Sequence, residues 1–572
     1  MPRRGAAAAG LRATRSAAAS QGAARIRATA ARVRREIFCA LLVLASLPSG
    51  GAFADTLPAP GTAPPLVEAA REQRIADALA LIESGADVNA AAANGTTALH
   101  WAAHYGEVEL ARALLEAGAQ ADVVNDFGAT PIAEAALVGS VPILEILLAA
   151  GVDANAANAE GQTPLMVVAR AGNLDAAALL LEHGARPNAV ESWGGQTALM
   201  WAAAQRHPEM VAMLLENGAD PNMRGKERNW QRRVTAEPRK KDMHDGGFAA
   251  LHYAAREGCV ACIAPLLDAG ADIDITDPDR TTPLNLAIYN GHFDFAKALI
   301  EAGADVNKWD FAGRTPLYHA VDLHTPPSNA RNALLHGDET DAMDLIRLLL
   351  DRGADPNIQL KHRPQFRDAV FERGTDVMLS TGATPLLRAA RAGDTEVVRL
   401  LLEHGAIAEL PNQYGVTPFM AAAGVGFGIR ATRGQDATEE DRIETLKVLL
   451  EAGADVNRRT VSFGRIPPPG KDNFLMHVRI THGNQRYIYS YVPPDGRAAI
   501  HGAARNGWNK VVQFLFDHGA KLKVAGRDGL TPMDLAAGRY EPEILVPPAD
   551  PFPETMKLLE ELCSRQAECG TF

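Results

Sequence analysis

The sequence predicts an all-α repeat solenoid, in which short helix–turn–helix units stack on copies of themselves. Two recurrences carry the prediction. A glycine returns at Gly85, Gly118, Gly151, Gly184, Gly218, Gly270, Gly303, Gly353, Gly405, Gly453 and Gly519, and the first four spacings are 33, 33, 33 and 34 residues. A start motif returns in phase with it, as TALHWAA at Thr97, TPIAEAA at Thr130, TPLMVVA at Thr163, TALMWAA at Thr197, AALHYAA at Ala249, TPLNLAI at Thr282, TPLYHAV at Thr315, TPLLRAA at Thr384, TPFMAAA at Thr417, AAIHGAA at Ala498 and TPMDLAA at Thr531. Composition agrees: 47% apolar residues with only 6% aromatic suits small helices packed through Ala and Leu. Since each repeat touches only its neighbours, 572 residues need not divide into several globular cores.

The stretch from Asp279 to Phe311 shows why one unit forms. Thr282 and Pro283 open a helix with a hydroxyl cap and a proline where no backbone donor is needed. Leu284, Leu286, Ala287 and Ile288 give that helix an apolar side, and Gly291 stops it in the left-handed conformation. A second helix turns Phe295, Ala298, Leu299 and Ile300 inward, Gly303 ends it, and Asp305-Val306-Asn307 leads into a turn. Helices of about ten residues cannot bury such faces alone, so they must stack.

A period of 33 with a T-P-L-H-x-A start makes the chain resemble the ankyrin-repeat family over roughly Pro65 to Leu562. Counting a degenerate first unit from Pro65, the resemblance implies about twelve repeats. It also implies that the inter-repeat turns project as β-hairpin fingers, and that fingers and first helices line a concave face that binds protein partners.

Ahead of the array, residues 1–54 carry nine arginines and one acid, Glu36, then the apolar run Ile37 to Leu47, then Ala52-Phe53-Ala54. A basic segment, a short apolar core and an A-x-A site read as an export signal cleaved after Ala54, with the mature chain periplasmic or secreted. An uncleaved anchor, an organelle transit peptide and a start placed too far upstream are the alternatives. Arg34-Arg35 resembles a twin-arginine signal weakly, and Cys39 lacks the residues that precede a lipidated cysteine. No apolar run reaches the roughly 20 residues that span a bilayer, so no stable membrane span is expected after cleavage.

Two spacings locate every departure from the period. From a closing glycine to the third motif residue is normally 14 residues, and from there to the next closing glycine 19. The turns after Gly218, Gly353 and Gly453 exceed the first by 19, 19 and 33 residues; the intervals from Leu317 and Phe419 exceed the second by 17 and 15. The resulting organisation is a signal over 1–54, a linker over 55–64, regular repeats over 65–225, a basic finger over 226–245 and repeats over 246–357. There follow a finger over 358–381, repeats over 382–457, a finger with a hairpin over 458–495, repeats over 496–562 and a tail over 563–572.

The three long fingers are basic. Lys226 to Lys241, Lys361 to Arg373 and Arg458 to Arg497 carry net charges of +5, +2 and +5. The chain holds 57 basic and 69 acidic residues; without residues 1–54 it holds 48 and 68, net −20. Basic fingers therefore stand on an acidic body, which points to a protein partner with an acidic surface. The candidate contacts are Trp230, Arg232, Arg233, Lys240, Lys241, Arg363 and Arg367, with Tyr487, Tyr489 and Tyr491 on one face of a hairpin read from FLMHVRI and RYIYSYV. Tyrosine rows grip peptides or sugars, and equally pack a hairpin onto its own repeat. Nucleic acid is disfavoured by the acidic body. The oligomeric state is open.

Cys259 and Cys262 are candidates for a disulfide, with free thiols and a redox pair as the other readings; Cys563 and Cys569 could tie the last helix to the tail. Two such cysteines fall short of a zinc site. His100, His252 and His501 share the fourth motif position, His183, His404 and His518 precede closing glycines, and the Asp-x-Asn triplets recur at the repeat period. All of these read as structural. No phosphate loop, nucleophile elbow or H-E-x-x-H is present, and the insertion acids Glu339, Asp341, Glu372, Asp376, Glu439, Glu440 and Asp441 form no catalytic pattern. The leading reading is a non-catalytic scaffold without cofactor or metal. The alternatives are an enzyme built from the insertions and a binder of acidic glycan.

Overall fold

A computed structural model of the chain describes residues 63–233, 240–325, 337–361, 379, 381–426, 437–461, 478–482, 485–489, 496–539 and 550–566. The chain divides into two units, Met1–Ala63 and Pro64–Phe572, and residues 1–54, which in the sequence read as an export signal, lie outside the described residues.

The second unit is a row of helix pairs. In chain order these are α1 (Pro65–Arg71) with α2 (Ile75–Glu83), α3 (Ala98–Tyr105) with α4 (Val108–Glu116), α5 (Pro131–Val138) with α6 (Val141–Ala149), and α7 (Pro164–Ala171) with α8 (Leu174–Glu182). Then come α9 (Ala198–Ala204) with α10 (Pro208–Glu216), and α11 (Ala250–Glu257) with α12 (Ile263–Asp268), the latter led in by a 3₁₀ turn over Val260–Cys262. They continue with α13 (Pro283–Tyr289) and α14 (Phe293–Glu301), α15 (Pro316–His324) and α16 (Ala342–Asp351), α17 (Pro385–Ala392) and α18 (Thr395–Glu403), and α19 (Pro418–Ala422) and α20 (Glu439–Glu451). The last are α21 (Ala499–Arg505) with α22 (Asn509–Asp517) and α23 (Pro532–Ala536) with α24 (Pro553–Cys563). First helices pack on first helices and second helices on second helices, so two layers run the length of the unit.

The motif explains each first helix. Thr282 Oγ1 accepts the Asn285 N–H at 3.2 Å, and Thr130, Thr163, Thr197, Thr315, Thr384, Thr417 and Thr531 make the same bond. The third motif residue is the core anchor: Leu99, Ile132, Leu165, Leu199, Leu251, Leu284, Leu317, Leu386, Phe419 and Ile500 are each at most 1% exposed. The closing glycines have φ near +85°, as at Gly85 (84°) and Gly353 (85°), and a Cβ there would meet nothing within 4 Å. Glycine stands there for its conformation and not for space.

The Asp-x-Asn triplets tie neighbouring repeats. Asn155 Nδ2 donates to the Gly184 carbonyl at 3.0 Å, and its Oδ1 accepts the Arg186 N–H at 2.8 Å. Asn357 does the same with Gly405 (3.0 Å) and Ile407 (2.8 Å), and Asn457 with Gly519 and Lys521 (3.0 Å each). The bonds of Asn357 and Asn457, four in all, reach over long insertions. The insertions also close at their bases: Gly225 N–H donates to Phe248 O (3.0 Å), Leu360 to Ala383 O (2.9 Å) and Thr460 to Arg497 O (2.8 Å). A finger thus leaves and returns through a hydrogen-bonded stalk, so the repeats on either side stack in register.

Two fingers contain strands. β1 (Glu227–Arg233) pairs antiparallel with β2 (Lys240–Gly246), and β3 (Val478–His482) with β4 (Gln485–Tyr489). In the register of β3 and β4 His482 pairs with Gln485.

The insertions between helices are held differently, by buried arginines. Arg388 and Arg391 on α17 are fully buried. Arg388 bonds the Asp322 carboxylate (2.5 Å) and the carbonyls of Asp322 (3.1 Å) and Thr325 (2.8 Å), at the C-terminus of α15. Arg391 bonds the carbonyls of Val425 (3.2 Å) and Gly426 (3.0 Å), just beyond α19. Where an insertion replaces the usual glycine turn, a guanidinium satisfies the orphaned helix carbonyls.

Candidate functional site

The residues predicted for partner contact lie in three places. Trp230, Arg232 and Arg233 are on β1, and Lys240 and Lys241 on β2; the register pairs Trp230 with Met243, Arg232 with Lys241 and Arg233 with Lys240. Tyr487 and Tyr489 are on β4, opposite Ile480 and Val478. Arg363, Arg367 and Tyr491 lie outside the described residues. The backbone register of the first hairpin therefore places Arg232 opposite Lys241 and Arg233 opposite Lys240.

A second set of residues, on the first-helix layer, escaped the sequence reading. The fifth and eighth motif positions need nothing large for stacking, yet they hold Trp101 and His104, Glu134, Arg170, Trp201, Tyr253 and Arg256, Tyr289, and His319 and Asp322 in successive repeats. They contact one another across repeats. His104 Nδ1 lies 2.9 Å from Glu134 Oε2, and this hydrogen bond raises the imidazole above its ordinary pKa. Trp101 stacks on Tyr105 with ring centres 5.8 Å apart, and Arg170 covers Trp201 at 4.8 Å. The Trp201 indole N–H is buried with no hydrogen-bond partner among the described residues. The signal was in the sequence: Trp, Tyr and charged residues at positions where other repeats hold Val167, Ala204 or Ala421.

Between α13 and α15 the row meets the turn over 309–314. A cavity of about 70 Å³ there is lined by Asp279, Thr281, Asn285, Leu286, Tyr289, Asp310, Phe311, Ala312, Arg314 and His319. Burial alone would raise the Asp310 carboxyl, but the His319 ring 3.5 Å away and the Arg314 Nε at 2.7 Å outweigh it and hold the group below the usual carboxylate range. Burial, helped by the Arg314 charge, lowers His319 and keeps it neutral. Outside the cavity Arg280 lies over Trp309 at 4.0 Å.

The remaining chemistry-bearing residues have structural duties. His252 accepts the Ala249 N–H on Nδ1 (3.3 Å) and donates Nε2–H to Thr281 O in the next finger (3.1 Å), and His100 acts alike on Thr97 and Ala129 (3.2 and 3.1 Å). His404 and His518 bond the carbonyls four residues before them at 2.9 and 2.8 Å. Asp341 caps α16, Glu439 accepts N–H groups at the start of α22, and Asp441 closes a capping box with Thr438. Glu372 and Asp376 lie outside the described residues. Cys259 and Cys262 are joined in a disulfide, both within the core at 3% and 0% exposure. Cys563 is disulfide-bonded as well, its partner lying outside the described residues. Among the described residues no cluster of His, Cys, Asp or Glu is placed to hold a metal, and no helix is long and apolar enough to cross a membrane.

The family description "Ankyrin repeats (3 copies)" matches residues 66–158, 133–225, 251–360 and 340–460, more than half of the chain. The chain belongs to the ankyrin-repeat family. It is 26% identical over 315 residues to the Arabidopsis thaliana E3 ubiquitin-protein ligase KEG, covering 51% of this chain and 18% of that protein. It is 33% identical over 190 residues to the human ankyrin repeat and SOCS box protein 16, covering 32% and 41%. It is 29% identical over 194 residues to the Escherichia coli putative ankyrin repeat protein YahD, covering 30% and 88%. The first two of these relatives are thus matched over less than half of their length. The human ASB11 ankyrin repeat domain is similar at 27% identity with a TM-score of 0.34, over 41% of this chain and 96% of that one.

Proposed function

We propose that this ankyrin-repeat chain is a non-catalytic scaffold of about twelve repeats, exported to the periplasm or secreted, that binds a protein with an acidic surface. Its binding face is the concave side formed by the first helices and the long basic fingers. The repeat count is supported by the helix pairs that accompany each start motif and the degenerate unit at Pro65. Export is supported by the basic segment, apolar run and Ala-Phe-Ala of residues 1–54.

The observation that carries the binding reading is the pairing of Arg232 with Lys241 and Arg233 with Lys240. Like charges directly across a ladder cost hairpin stability, so their concentration on one finger of an acidic chain is understood as a surface for an anionic partner. The aromatic row of the first helices supplies the apolar contact such an interface needs.

The test is capture of partners from the exported compartment by the mature chain, compared with a variant carrying Ser at Arg232, Arg233, Lys240 and Lys241. The variant is expected to lose salt-sensitive capture while its thermal midpoint stays unchanged or rises slightly. A sharply lowered midpoint with capture intact would make the fingers internal braces.

A further inference from the structure

Asn285 occupies the fourth motif position, where His100 and His252 stand in other repeats. His100 and His252 each use both ring nitrogens, one toward the helix start and one toward the next finger, whereas His501 at the same position makes the first bond and its buried Nε2 has no partner among the described residues. Asn285 keeps only the second bond: its Nδ2 donates to Lys308 O at 3.0 Å. Its Oδ1 is buried and has no hydrogen-bond partner among the described residues, although the side chain is 0% exposed. An orphaned buried acceptor is costly and therefore rare, and it marks a place where a donor belongs.

The shorter side chain leaves room beside it. The cavity of about 70 Å³ that Asn285 lines exceeds the roughly 30 Å³ a single water occupies. It is walled by Tyr289, which is half-buried, and Phe311, which is 45% exposed on the finger, so it opens toward solvent between helix and finger. The charged groups on its lining are the carboxylates of Asp279 and Asp310 against the single guanidinium of Arg314. Two aromatic walls, a buried unpaired acceptor on a lining residue and an excess of negative charge among the lining groups fit an aliphatic stem ending in a cationic N–H donor.

We infer that this cavity is a specificity pocket of the scaffold, receiving one basic side chain, lysine or arginine, from the bound protein. The inference rests on the protein-binding reading and adds to it a chemical selection: one cationic residue of the partner reaches past its acidic surface into the row of first helices. His319 and Arg314 hold Asp310 in place at the back, and the Arg280–Trp309 stack stiffens the finger that carries Phe311.

The test uses the full mature chain and capped pentapeptides Gly-Gly-X-Gly-Gly, with X lysine, arginine, norleucine or glutamate, followed by saturation-transfer NMR at millimolar peptide. Lysine and arginine peptides are expected to receive saturation, and norleucine and glutamate peptides to bind about tenfold more weakly, the value of one charge-assisted hydrogen bond. Asn285→His, which installs the residue other repeats use here, is expected to abolish the lysine signal without lowering the thermal midpoint. Phe311→Ser, at an exposed position, is expected to weaken it independently of the core. Norleucine binding as well as lysine, retention of lysine binding by Asn285→His, or absence of any signal would each overturn the pocket. Partner capture separates the two claims: capture that persists in Asn285→His, alongside failure of the peptides, would leave the scaffold standing and remove the pocket.

Discussion

Replacing Arg388 by methionine tests how the solenoid tolerates an insertion inside a repeat. The guanidinium is fully buried, its carboxylate partner Asp322 is 27% exposed, and it also bonds Thr325 Oγ1 (3.2 Å) and two carbonyls at the end of α15. Methionine conserves much of the volume, so the loss is mainly electrostatic. Two helix carbonyls lose their donor, at about 1–3 kcal/mol each where water cannot replace it, while Asp322 recovers part of its hydration. Breaking a buried pair by removing one partner costs about 3–5 kcal/mol in comparable cases, and the partial exposure of Asp322 places the expected loss near 3 kcal/mol. Because repeats couple only to neighbours, the damage should concentrate in α15 to α18 and leave the first five repeats unchanged. Denaturant unfolding followed by circular dichroism gives the size, and amide exchange read by mass spectrometry gives the location. Exchange in 316–325 unchanged from wild type, with a loss below about 1 kcal/mol, would refute the role assigned to the arginine.

Four further outcomes follow from the packing. His252 is held neutral by burial, its pKa lowered to about 4, while the unfolded chain binds the proton near 6.5. Stability should therefore fall as pH drops through about 6.5 and stop falling from this source near 4, a total of roughly 3 kcal/mol; urea midpoints across that range check it, and His252→Asn should flatten the profile. His104 has the opposite sign, since Glu134 raises it: its contribution is complete below about 6.5 and fades as pH rises through the raised value, so His104→Gln should destabilise at pH 6 more than at pH 8. Asn357→Ala removes two bonds that span a finger insertion and should cost about 1–3 kcal/mol, read from the denaturation midpoint; an unchanged midpoint would mean that apolar stacking alone sets the register there. Cys259 and Cys262 should resist thiol labelling until the protein is both reduced and unfolded, because both are buried as well as bonded.

The repeat architecture was legible because its determinants are local. A hydroxyl cap, a proline and a left-handed glycine act within one helix, and their recurrence at 33 residues counts the units. The alternation read over 474–480 and 486–492 meets strands at Val478–His482 and Gln485–Tyr489, so the pairing there is closer to the turn than the alternation suggested. What sequence could not show was contact between distant positions. Arg388 reads as an ordinary charged residue, yet its partners lie 63 and 66 residues away and it is fully buried. The Asn285 cavity depends on Phe311 and His319 converging from other segments, and in the sequence Asn285 is one of several different residues at a position that holds histidine at His100, His252 and His501. Trp101, Trp201 and Tyr289 form a row only once the helices stack.

The most direct test of the scaffold is cross-linking mass spectrometry on the chain with its captured partner. The account predicts that inter-protein cross-links fall on the fingers at 226–246, 358–381 and 458–495 and on residues beside the first-helix row, such as Lys308. Cross-links confined to second-helix positions such as Lys297, Lys447 and Lys557, with the fingers unlinked, would contradict it.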